Sequence, residues 1–134
     1  MELCLAVYEI IPFLPSSERF ALSQQIRKAA VSVPANIAEG QACGEDGRYI
    51  HHLRIALGSL AELSTELELA ERLAMLPRER ARLITEHLTR TGQILHGLLR
   101  ARRHLRQANL LPTFWGFAGL RLALEVFRSL NTSA

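Results

Sequence analysis

The chain has 134 residues, the size of one ordinary domain, with 49% apolar and 22% charged residues; this excludes a multidomain enzyme and a disordered or collagen-like chain. The formal net charge is only +3, too small by itself to demand a nucleic-acid partner, but it is unevenly spread. Residues 1–75 hold 6 basic and 10 acidic groups (net −4) and residues 76–134 hold 10 basic and 3 acidic (net +7), so an anion-binding surface is expected in the second half.

Leu3, Val7, Ile10 and Leu14 recur at helical spacing and end in the punctuated segment Pro12-Phe13-Leu14-Pro15-Ser16-Ser17, which predicts a short first helix. Ser16 or Ser17 is placed to cap a second helix, with Glu18 near its positive end and Leu22, Ile26, Ala29, Val33 and Ile37 on its apolar face, running to about Gly40. Pro34 lies inside that pattern and removes one backbone donor, which predicts a kink rather than a break; Ser32 or Asn36 can hydrogen-bond the disturbed backbone. Gln41 to Arg48 reads as the next connection. Ile50, Leu53, Leu57, Leu60, Ser64 and Leu67, with Ala56, Leu63 and Ala70 beside them, give a third helix a face wide enough to touch more than one neighbour.

Pro77 suits the first turn of a fourth helix, whose stripe is Ile84, Leu88, Thr91, Leu95, Leu98, Arg102 and Leu105. Four helices with short links predict an all-α antiparallel four-helix bundle over residues 1–106. At about 100° per residue, Arg78, Arg82, Arg100 and Arg103 fall opposite the apolar stripe, with Arg90 on its flank, and form a candidate surface for nucleic acid or a neighbouring subunit. Arg102 and Arg106 fall on the apolar side, where an unpaired buried charge costs several kcal/mol, so either this helix outruns the bundle or those arginines face a partner. Residues 107–134 form a C-terminal extension. Leu111-Pro112 is expected to break the chain, and Phe117, Leu120, Leu124 and Phe127 form a further amphipathic stripe opposite Arg121, Glu125 and Arg128. A fifth helix packed on the bundle, an oligomer contact and a membrane-surface helix all fit that stripe.

Cys4 and Cys43 are the only cysteines and belong to no C-x-x-C pair, so a reducing, cytoplasmic setting is expected. Glu2 and Glu9 interrupt the apolar start, which carries no basic flank of the signal-peptide kind, and nothing reaches the roughly 18–20 uninterrupted apolar residues of a membrane span. His51, His52, His87, His96 and His104 contain no i,i+4 pair, and no Glu-x-x-His pair occurs, so no metal or other cofactor is expected. Gly40, Gly44 and Gly47 follow a helix rather than a strand and lack the Lys-Ser/Thr of a phosphate loop. Glu62, Glu66, Glu68 and Glu71 make an acidic face on helix 3; the like-charged pair Glu62 and Glu66 would be relieved by arginines of another helix or subunit, an arrangement that suits head-to-tail assembly. No reactive constellation converges, so no enzyme is expected.

The run from Gln25 to Gly40, Gln-Ile-Arg-Lys-Ala-Ala-Val-Ser-Val-Pro-Ala-Asn-Ile-Ala-Glu-Gly, resembles the signature of the four-helix-bundle proteins encoded in 23S rRNA intervening sequences, and Leu53 to Leu63 is similar to that family's helix 3. The motif falls on Arg27, Ser32, Pro34, Asn36, Glu39 and Gly40 in helix 2, and on Arg54, Gly58, Ser59 and Glu62 in helix 3. The resemblance implies an antiparallel bundle assembled as a homopentameric ring, without known catalytic activity. It also implies a link to RNA, through gene location in rRNA insertions and through a related bundle that partners a reverse transcriptase. Physically, Gly58 and Ser59 are small enough to permit close helix approach, and Arg27, Asn36, Glu39 and Arg54 can pair across helices or subunits. The expected function is therefore a non-enzymatic homo-oligomer with RNA contact through helix 4. The alternative is a structural or protein-interaction module, such as an accessory partner of a nucleic-acid enzyme, without RNA contact.

Overall fold

The computed structural model describes the backbone of residues 1–131 except Arg19, and the side chains of residues 1–105 and 107 with the same exception. The expectations placed on Arg106 and on the stripe Phe117, Leu120, Leu124 and Phe127 lie outside the described side chains. Among the described residues all regular structure is helical: α1 (Glu2–Ile10), α2 (Leu22–Ala42), α3 (Asp46–Arg72) and α4 (Arg78–Asn131), with single 3-10 turns at Ile11–Phe13 and Ser16–Glu18. The chain divides into two compact units, Met1–Arg100 and 101–134. No described helix is long and apolar enough to cross a membrane.

The first unit is built on the apolar stripes. Val7 and Ile10 of α1, Ile26 and Val33 of α2, Leu53 and Leu63 of α3, and Ile84 and Leu95 of α4 belong to one buried cluster. Burying side chains of this size contributes about 1.5–3 kcal/mol each. Helices α2 and α3 pack against one another over much of their length. Their contacts step from Ser32 with Ser59 to Asn36 with His52 and Gly40 with Tyr49, so these two helices run in opposite directions. Pro34 lies inside α2 without ending it.

Several local expectations change. Ser16 and Ser17 do not cap α2, because they are consumed in their own 3-10 turn; the cap position falls on Ala21, which has no side-chain acceptor to offer. The α2–α3 connection is only Cys43 to Glu45, since Gly44 at φ +68 and the extended Glu45 turn the chain before Asp46. The break expected at Leu111-Pro112 is absent, and α4 keeps helical backbone to Asn131. Proline in a helix interior deletes one hydrogen bond and favours a bend, which neighbouring strong helix formers such as leucine and alanine can sustain. Leu105, the last member of the expected α4 stripe, belongs to the second unit and is 53% exposed; among the described residues the last buried core residue of α4 is Leu99.

The glycine expected to permit close approach is also the wrong one. Gly58 is exposed, and a Cβ there would meet nothing within 4 Å. Gly40 is buried, and a Cβ there would lie 2.7 Å from His52 Cβ and 2.9 Å from Tyr49 Cδ2. Gly40→Ala is therefore expected to destabilise the fold by about 1–3 kcal/mol, whereas Gly58→Ala is expected to stabilise it by roughly 0.5–1 kcal/mol through helix propensity. Urea unfolding of the two variants checks both signs.

The α3–α4 turn stores a second correctable cost. Ala74 has φ 54, and the Met75 amide donates to the Ala70 carbonyl at 2.9 Å, a left-handed helix cap normally given to glycine. Ala74→Gly is expected to raise stability by about 1 kcal/mol, because a side chain in this conformation costs roughly 1–2 kcal/mol; a thermal melt of the variant measures it.

Candidate functional site

The motif residues separate into a connected group and a scattered one. Asn36 Nδ2 donates to the Ser32 carbonyl at 2.9 Å and to Ser32 Oγ at 3.1 Å, and the Ser32 and Ser59 hydroxyls lie 2.7 Å apart. His52 Nδ1 donates to Asn36 Oδ1 at 3.3 Å, because that oxygen can only accept. Glu39 Oε2 stands 3.7 Å from the same nitrogen. A polar chain thus crosses between α2 and α3 beside the close approach at Gly40. Asn36 bonds the carbonyl of Ser32, not that of Ala30, which Pro34 leaves without its helical donor.

His52 is the member that sequence reasoning missed. It stood among five histidines with no ligand spacing, and only its register opposite Asn36 and Gly40 reveals its part. The remaining motif residues stand apart from this chain. Arg54 and Glu62 are exposed, Arg27 is half-buried, and neither arginine makes an ion pair with a described residue.

On α3, Ile55, Glu62, Glu66, Leu69 and Leu73 share one arc of the helix. Leu69 is 48% and Leu73 54% exposed. Glu66 is half-buried, and its Oε2 is buried with no hydrogen-bond partner. Burial, reinforced by the neighbouring Glu62 carboxylate, pushes the Glu66 carboxyl up to about 7. No described arginine of this chain relieves the pair.

On α4, Arg78, Arg82, Arg90, Arg100 and Arg103 are all exposed. Arg82 is held by Glu79 at 2.8 Å and Glu86 at 3.1 Å, which raises the guanidinium pKa and lowers that of Glu79. Arg78, Arg90, Arg100 and Arg103 have no acidic partner among the described residues. Arg102 is half-buried and already engaged by another group. Arg80, outside the expected stripe, lies over the Phe13 ring and 3.9 Å from Glu9, tying α4 to the last turn of α1 and to the 3-10 turn after it.

An open cleft of about 600 Å³ lies between α3 and α4, floored by Leu60, Leu67, Ile84 and Leu88. The Thr85 and Thr89 hydroxyls that line it are spent on the carbonyls four residues before them, Glu68 is paired with Arg72, and Ser64, Glu71 and His96, which also line it, make no hydrogen bond or ion pair with one another. Among the described residues no group of three or more His, Cys, Asp or Glu could hold a metal ion. The class defined by these features is a helical bundle organised by an internal polar chain, with its free charge on helix surfaces.

The family of 23S rRNA-intervening sequence proteins matches residues 1–97, and the chain belongs to it. The chain is also similar to a crystal structure of a protein of unknown function from the S23 ribosomal protein family of Bacteroides thetaiotaomicron VPI-5482. That likeness has 27% identity and a TM-score of 0.68, and covers 73% of this chain and 92% of the other. No curated protein matches the chain.

Glu66 gives this region a pH signature. Its folded pKa lies above the unfolded value of 4.5, so the native state favours the protonated form; that contribution is full below about 4.5 and is lost as pH rises through about 7. Glu66→Gln is expected to match the parent protein at pH 4.5 and to exceed it above pH 7 by about 1 kcal/mol, less than the full worth of the shift because water screens a half-buried group. Denaturant unfolding at the two pH values measures the difference.

Proposed function

We propose that this protein is a non-enzymatic, homo-oligomeric bundle, a pentamer by family resemblance, that associates with RNA through the arginine face of α4. One observation carries the reading: among the described residues, Arg78, Arg90 and Arg100 of the first unit and Arg103 of the second are exposed cations without acidic partners, whereas Arg82 shows what local pairing looks like. Guanidinium groups match phosphate oxygens in a bidentate fork, and their binding releases condensed counterions from the nucleic acid. Membership of a family described by 23S rRNA intervening sequences supports an RNA context.

A second reading has its own support. The α3 arc that holds Leu69, Leu73 and the unpartnered Glu66 oxygen is an acidic and apolar counterpart for α4 arginines of a neighbouring copy. In that case the arginines close an assembly, and the protein acts as a structural or protein-interaction module, for example beside a nucleic-acid enzyme.

Light scattering coupled to size exclusion, with and without a structured ribosomal RNA fragment at several salt concentrations, separates the two. Under the first reading the oligomer takes up RNA, and changing the four arginines to glutamine lowers the salt slope by roughly 3, at about 0.7 per single-strand phosphate contact, without dissociating the assembly. Under the second the same variant falls to monomers and the parent protein ignores RNA. A parent protein that is monomeric and ignores RNA sinks both.

A further inference from the structure

The connection between α1 and α2 borders a second, smaller open cavity of about 280 Å³, lined by no residue of the polar chain or of α4. Pro12, Leu14 and Pro15 form apolar walls; Ser16, Ser23 and Arg27 supply its polar side chains. Ser23 and Arg27 are one helical turn apart on α2, so both face the same side of the helix. Ser23 is only 2% exposed. Arg27 is half-buried and pairs with no described acidic side chain, and Glu18, the acidic residue of this connection, does not line the cavity.

A guanidinium partly withdrawn from water without a counterion is unfavourable unless something else completes its hydrogen bonds. Here it borders a concave space that also carries two hydroxyls. The proline walls lack amide donors and have fixed φ, so they shape the space without competing for an anion. The guanidinium fork can take two oxygens of an oxyanion, and the hydroxyls remain for a third. A carboxylate has only two oxygens; a tetrahedral group has the third. The volume lies just under the range of sites for drug-sized ligands, roughly 300–1,000 Å³, which suits a single phosphate group rather than a whole nucleotide.

We propose that this cavity is a phosphate-binding site in which Arg27 supplies the charge and Ser16 and Ser23 the additional donors, taking inorganic phosphate or the terminal phosphate monoester of a larger molecule. The site is independent of the α4 surface: a protein that ignores RNA through α4 can still bind phosphate here.

The test uses the full chain and follows the Arg27 side-chain Nε–H resonance by NMR during titration with inorganic phosphate. Sodium chloride and sodium acetate of equal ionic strength serve as controls. The expected result is a saturating shift with phosphate alone, and an affinity roughly 10- to 100-fold weaker in Arg27→Gln, the loss of a charged hydrogen-bonded partner. Ser23→Ala is expected to weaken binding less. Short 5′-phosphorylated and unphosphorylated oligoribonucleotides distinguish the sources: saturation by the phosphorylated one alone places a terminal monoester in the cavity, whereas saturation by inorganic phosphate alone assigns the free ion. An Arg27 resonance that responds to chloride or acetate as it does to phosphate, or does not respond at all, overturns the proposal. That measurement needs no variant, so it stands even if Arg27→Gln fails to fold.

Discussion

The closest constraint in this bundle is the approach of α2 to α3 at Gly40. Leucine and alanine stripes exclude water in any of several axial alignments, because apolar contact is not directional. The Gly40 Cα accepts His52 and Tyr49 against it only in one register, and in that register the Ser32 and Ser59 hydroxyls come to 2.7 Å while Asn36 reaches His52. Sliding α3 by one turn would strand these groups in a half-buried seam, each at the desolvation cost of an unmade hydrogen bond, about 1–3 kcal/mol. The polar chain adds little net stability when formed and much instability to the alternatives; it acts on specificity. Once α2 and α3 are locked, the α1 residues Val7 and Ile10 and the α4 residues Ile84 and Leu95 have a fixed surface to cover.

Much of this was legible in the chain. The stripes through Leu3, Val7 and Ile10, through Ile26 and Val33, and through Leu53, Leu60 and Leu67 announced the core, because a 3.6-residue period is a property of one helix read alone. What stayed hidden depends on two helices at once. Gly40 and Gly58 look alike in sequence, and only the facing helix decides that one is crowded and the other open. His52 likewise acquires its role from Asn36, sixteen residues earlier in the chain. The serine cap expected for α2 does not form, for a local reason of a different kind: Ser16 and Ser17 favour turns as well as caps, and the 3-10 turn they enter moves the start of α2 to Leu22.

The surface is organised by separated charge. Among the described residues the four cations Arg78, Arg90, Arg100 and Arg103 have no acidic partner, and the Glu62 and Glu66 pair has no basic one. In an isolated chain burial, with the Glu62 charge added to it, makes the Glu66 carboxyl hold a proton to about pH 7. A cation brought against α3 would oppose this by stabilising the carboxylate, so contact with a basic neighbour and proton release are linked at this position. The linkage gives the α3 arc a sensitivity to pH that the exposed α4 face, whose arginines stay charged throughout, does not share.

Contacts inside the chain account for some residues of the motif and not for others. Ser32, Asn36, Gly40 and Ser59 are explained by contacts inside the chain: removing any of them leaves a gap, a clash or an unmade bond between α2 and α3. Arg27, Arg54, Gly58 and Glu62 have no such internal account. Gly58 gives up helix propensity without any close neighbour to justify it, and Glu62 adds to the repulsion felt by Glu66. The division runs across the motif rather than along it: four of its ten residues, Ser32, Asn36, Gly40 and Ser59, hold α2 to α3, and residues of both kinds stand on each of the two helices.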